Sequence, residues 1–140
     1  MRGERARRMD AAALLEQLPD AVVASDRDGV IRVWNAAAAR LFGYTASEAI
    51  GQSLDLIIPE RLREAHWRGY DAAIAAGATK YSGKPLTTRA LPKDGGKLYV
   101  AMRFGVLHDA DGRAWGAVAV ARETGRPTEP DARIAPVGHD

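Results

Sequence analysis

The chain contains no cysteine. That absence excludes disulfides and zinc–thiolate sites, and with them cysteinyl nucleophiles and cysteine-linked chromophores. No apolar run approaches the ~20 residues that a bilayer-spanning helix needs. The charged start, Met1-Arg-Gly-Glu-Arg-Ala-Arg-Arg8, leads into no hydrophobic signal core, so no secretion signal is read and the cytoplasm is the expected compartment. Excess charge is also scarce: 20 Lys and Arg stand against 18 Asp and Glu, a net +2. No basic stripe interleaves with aromatics, so nucleic acid is not an expected partner, and neither is a membrane. Residues 1–9 and 124–140 are expected to be solvated and disordered; the latter carry prolines and scattered charges without periodicity.

What remains is ordinary globular material. At 140 residues, 46% hydrophobic and 27% charged, the chain is long enough for one real core. The expected layout is a single, stand-alone domain over 10–123.

The organising stretch is Pro59-Glu-Arg-Leu-Arg-Glu-Ala-His66-Trp-Arg-Gly-Tyr70. Proline favours the first helical turn, and good helix formers continue to Gly77, which predicts one helix over 59–76. Leu62, Ala65, His66, Gly69, Tyr70 and Ala73 follow the rhythm of a buried stripe. Glu64 and Arg68 have ion-pair spacing on the other side. An imidazole thus sits in an apolar stripe beside small residues.

Before it, residues 9–18 read as a short amphipathic helix and Ala21–Ser25 as a strand. Asp28-Gly29 turns into Val30–Trp34, a strong hairpin signal. Asn35 caps a helix that Gly43 ends, Thr45-Ala-Ser-Glu48 fits a capping box, and Ser53 caps a further turn. After the long helix come strand-like residues beyond Pro85, the turn Pro92–Gly96, and the strict alternation Leu98, Val100, Met102, Phe104, Val106. Asp109-Ala-Asp-Gly112 turns into a last strand, 114–121; it has too few oxygens for a calcium loop. The order predicts an α+β fold, a five-stranded antiparallel sheet with helices on one face. A small-molecule cavity belongs between that face and helix 59–76.

Leu15-Glu-Gln-Leu-Pro-Asp-Ala-Val-Val, Asp28-Gly29, Trp34-Asn35-Ala-Ala-Ala, Leu41-Phe-Gly-Tyr44, Glu48-Ala-Ile-Gly51 and Lys93-Asp-Gly95 resemble the PAS domain family, in order and over about residues 10–123. The resemblance implies the PAS fold and a sensory or interaction module, not an enzyme, in signal transduction or transcriptional regulation. Pro59 to His66 is similar to the haem-binding oxygen sensors of that family. There a histidine at this spacing binds haem iron, so the resemblance makes His66 the candidate metal ligand and haem b the candidate cofactor, for sensing gas or redox state. Tyr70, one turn on, is a further cofactor-site candidate.

By the same resemblance Lys84 falls where some of these sensors carry a methionine ligand. Leu86 falls where the arginine that bonds bound gas is usual, which implies a dry distal pocket that would hold oxygen poorly. Arg89 is close but three residues further along a strand, hence on the opposite face from Leu86. The flavin–cysteine photochemistry of other relatives is excluded; redox-type flavin binding is the alternative, with Trp34, Trp67 or Trp115 to stack on the ring. A ligand-free PAS interaction domain is the other alternative. Partners expected are a second copy, through Met9, Leu14 or Leu15, or a signalling protein.

The remaining polar residues carry no such chemistry. His108 reads as surface and His139 as tail. Glu16 and Asp20 form no acid–base pair, and neither Ser25 nor Ser47 has the context of a nucleophile.

Overall fold

A computed structural model describes residues 9–80 and 84–126. Most of both expected disordered ends, 1–8 and 127–140, lies outside the described residues. The elements run α1 (Ala11–Gln17), β1 (Ala21–Asp26), β2 (Ile31–Trp34), α2 (Ala36–Phe42), α3 (Ala46–Ala49), a 3-10 turn (Leu54–Ile57), α4 (Glu60–Ala76), β3 (Leu86–Ala90), β4 (Leu98–His108) and β5 (Ala114–Thr124). The five strands form one antiparallel sheet in the order β2-β1-β5-β4-β3.

Local chemistry explains the element ends. Asn35 Oδ1 accepts from the Ala38 amide at the start of α2, and Gly43 closes that helix in the left-handed region. The Thr45/Glu48 capping box is complete. Ser53 caps the 3-10 turn through the Asp55 amide. Pro59 takes the capping position of α4, one residue before the first turn, and has no side-chain bond to offer. Glu64 and Arg68 pair at 3.7 Å, in solvent.

Three boundaries differ from the periodicity. β5 continues to Thr124, because β4 supplies partners that far: Glu123 faces Val100 and Thr124 faces Tyr99. The domain therefore reaches into the stretch expected to be disordered. Val30 lies outside β2: its carbonyl still accepts from the Asp26 amide across the turn, and it also bridges Ser53. α1 is shorter than expected, and no residue of it is buried.

One face of the sheet is the core. Val23, Val100, Met102 and Ala121 join Phe42 and Ala38 of α2, Leu54 and Ile57 of the 3-10 turn, and Tyr70 of α4 in one apolar cluster. Asn35, 1% exposed, locks the first half of the domain. Beyond its cap, its Oδ1 accepts from the Val22 amide, and its Nδ2 donates to the carbonyls of Leu15 and Asp20. All four bonds available to a buried amide side chain are made.

Candidate functional site

α4 turns three side chains inward one helical turn apart: Leu62, His66 and Tyr70. They face the sheet across a cavity of about 100 Å³. Its walls are Leu54, Ile57 and Ile58 beneath, Met102 and Phe104 from β4, Ala117 and Ala119 from β5, and Val23 from β1. The position between sheet and α4 is the one expected from the sequence.

The wall is almost wholly apolar, so its polar atoms stand out. Tyr70 Oη is 2.8 Å from Ser25 Oγ and also donates to the Asp26 carbonyl. These bonds tie α4 to β1. Burial pushes the Tyr70 hydroxyl above its ordinary range, although the Ser25 bond opposes it. His66 is 8% exposed, and its buried Nδ1 has no hydrogen-bond partner among the described residues. Its ring lies edge-on to Trp67, centroids 4.7 Å apart, and 5.8 Å from Tyr70. Burial lowers its pKa to about 4, against weaker opposing pulls from Asp55 and Asp71. At neutral pH the site holds an uncharged imidazole, the form that can ligate a metal or exchange a hydrogen bond.

The other candidates separate. Tyr70 shares the cavity with His66. Leu86 is buried on the core face of β3, opposite Met102 in register, and is not among the residues that line the cavity. Lys84 is exposed. It is not among the residues that line the cavity. Arg89 contributes to the wall between Thr88 and Ala90. Its guanidinium lies 5.9 Å from the centre of the Tyr99 ring, its cross-strand neighbour, while Leu86, Thr88 and Ala90 turn into the core. Its Nε also has no partner.

None of the tryptophans faces the cavity, which removes the expected stacking platform for a flavin. Trp34 packs on Phe42 and donates to the Tyr44 carbonyl. Trp115 is 43% exposed. Trp67 lies over the β1–β2 turn and donates to Asp55 Oδ1 at 2.7 Å. A methyl group on Gly29 would come within 2.1 Å of its ring. Sequence reasoning missed Ser25 and Thr88 as site residues. The alternation Ala21, Val23, Ser25 on a strand already placed that hydroxyl on the core face.

A five-stranded antiparallel sheet that cradles a cavity under one helix defines the α+β architecture of this domain. The PAS fold model matches residues 10–124, and the chain belongs to the PAS family. It is similar to the sensor protein FixL of Bradyrhizobium diazoefficiens, 39% identical over 62 residues, which cover 44% of this chain and 12% of FixL. It is also similar to the oxygen sensor protein DosP of Escherichia coli, 29% identical over 103 residues, 74% of this chain and 13% of DosP. The chain thus spans about an eighth of the length of these curated relatives. Among solved structures, the PAS domain of a Colwellia psychrerythraea protein superposes with a TM-score of 0.70 at 24% identity, over 81% of this chain and 92% of that one. Among the described residues, no helix is long and apolar enough to cross a membrane.

Proposed function

We propose that this chain is the sensory domain of a signalling protein and reports whether the cavity in front of His66 is filled. One observation carries this reading: a buried, unpaired imidazole nitrogen on the wall of an otherwise apolar cavity. Leaving such a group without a partner costs about 1–3 kcal/mol, and a ligand that bonds it recovers that cost. The PAS membership and the sensor names of FixL and DosP support a sensing role. In the test, Ala119→Leu fills the cavity from β5, and ligands are titrated into wild type and variant. The expected result is a ligand-induced rise in melting temperature in the wild type that the variant loses. Equal responses for every ligand, haemin included, refute the reading.

Haem ligated by His66 is a second reading, favoured by the likeness to DosP and FixL. The chemistry of the site fits it: the imidazole is neutral and the walls are apolar. Among the described residues no three His, Cys, Asp or Glu side chains gather to hold a metal ion, so iron needs the four nitrogens of a macrocycle. The volume does not fit. A porphyrin is several times larger than about 100 Å³. To admit one the pocket must widen, against the Tyr70–Ser25 and Tyr70–Asp26 bonds that tie α4 to β1. A saturable Soret band on haemin addition, abolished in His66→Ala, establishes ligation; identical featureless spectra for the two proteins exclude it.

Output through a second copy completes the proposal. α1 buries none of its residues, and Met9 and Leu14 are 77% and 50% exposed. Exposed apolar side chains at and before an amphipathic helix call for a partner. Sedimentation at micromolar concentration is expected to show a dimer that deletion of residues 1–18 dissociates; a monomer in both cases refutes this part.

A further inference from the structure

We infer that the cavity selects a single-ring, uncharged ligand carrying one polar group, which hydrogen-bonds His66 Nδ1 while its ring lies among Leu54, Ile57, Leu62 and Met102. This rests on the reading of the cavity as the sensing site and names its ligand class.

Three observations lead there. The first is size. About 100 Å³ is somewhat less than the ~150 Å³ apolar cavity that takes benzene in an engineered protein. That size sets an upper bound of one small ring, taken up with a slight outward shift of the wall, and is far below what a fused tricycle or a porphyrin needs. The Tyr70 bonds to Ser25 and Asp26 hold α4 at this distance from the sheet.

The second is the number of open hydrogen-bonding positions. Ser25 Oγ and Tyr70 Oη already satisfy one another. Among the described residues, His66 Nδ1 and Arg89 Nε are the buried side-chain atoms without a partner. Arg89 alternates away from Leu86, Thr88 and Ala90 on β3, and its guanidinium lies over Tyr99. His66 Nδ1 is therefore the open position facing the cavity, and one polar group on the ligand suffices. More polar groups would be stripped of water and left unpaired against the aliphatic wall.

The third is charge. The imidazole is neutral in its buried setting. Among the described residues that line the cavity, Arg89 is the charged one, and its guanidinium lies over Tyr99. An anionic ring would have to draw that guanidinium away, and a cationic ring finds no carboxylate on the wall. A small ring with one hydroxyl or ring N–H meets all three conditions. A free imidazole nitrogen accepts from such a group in one tautomer and donates to it in the other.

The experiment uses phenol, toluene and benzoate, which share a ring and differ in the polar group. Each is titrated by NMR into wild type, His66→Leu and Arg89→Met, and the His66 imidazole nitrogen shifts are followed. Phenol is expected to bind saturably, to move the Nδ1 resonance of wild type, and to lose about fivefold to tenfold in affinity in His66→Leu, the value of one hydrogen bond. Toluene is expected to bind the two proteins within about twofold, and benzoate to bind neither. The wild-type nitrogen shift needs no variant, so a poorly folded His66→Leu leaves the test intact. Preferred binding of benzoate that Arg89→Met abolishes overturns the inference in favour of an acidic ligand. Saturable haemin binding with no phenol binding overturns the ligand class and leaves the cavity as the sensing site. Binding of none of the four overturns both.

Discussion

Acidification should weaken this domain through His66 before most of its carboxylates titrate. The folded protein holds His66 neutral down to about pH 4, because burial strips the imidazolium of water. The unfolded chain protonates it near 6.5. Between those values the unfolded state binds the extra proton, so stability falls as the pH falls. The stabilising contribution is complete above pH 6.5 and gone below pH 4. One pKa unit is worth about 1.4 kcal/mol. The cost therefore reaches about 2 kcal/mol by pH 5 and about 3 kcal/mol below pH 4. A domain of this size has a total stability of roughly 5–15 kcal/mol, so the loss is large enough to measure. The assay is urea unfolding at pH 7 and pH 5 for wild type and His66→Leu. The difference between their two pH effects isolates His66 from every other titrating group. We expect about 2 kcal/mol. A difference below ~0.5 kcal/mol, within the range of a neutral surface change, would mean that the imidazole is hydrated or paired when protonated. A direct NMR titration of the ring gives the same answer independently.

Three further outcomes are expected. Gly29→Ala puts a side chain at φ +77° and drives it into the Trp67 ring; unfolding should show a loss above ~1 kcal/mol, partly relieved by adding Trp67→Leu, and full tolerance would show that the turn and the indole move apart freely. Asn35→Ala leaves two buried amides and two carbonyls without their partner and should cost at least ~2 kcal/mol. Asn35→Asp should fare little better, since its second carboxylate oxygen would face two carbonyls, and a near-wild-type melting curve for either variant contradicts the bonding pattern. Tyr70→Phe removes the bonds to Ser25 and Asp26 and should cost about 1–2 kcal/mol, with faster hydrogen exchange along α4; unchanged exchange would mean that apolar packing alone holds the helix down.

The sequence alone determined the elements, because the forces that set them are local. Asn35, Thr45 with Glu48, and Ser53 each start a helix through atoms two or three residues away. The alternation of β4 and the stripe of α4 record which side chains must leave water, whatever they then meet. Their order was enough for a five-stranded antiparallel sheet and for placing His66 against it. Only the tertiary structure decided what surrounds that histidine. Ser25 and Tyr70 are 45 residues apart and meet only when α4 lies across β1. Trp67 is held by Asp55 and by the turn at Gly29, so it stays out of the cavity wall. Lys84 precedes β3 and Leu86 begins it, yet one is exposed and the other buried outside the cavity wall, which their two-residue spacing by itself did not reveal. Cavity volume and an unpaired nitrogen are sums over many distant atoms. No local pattern encodes them, and they choose which ligand the site can take.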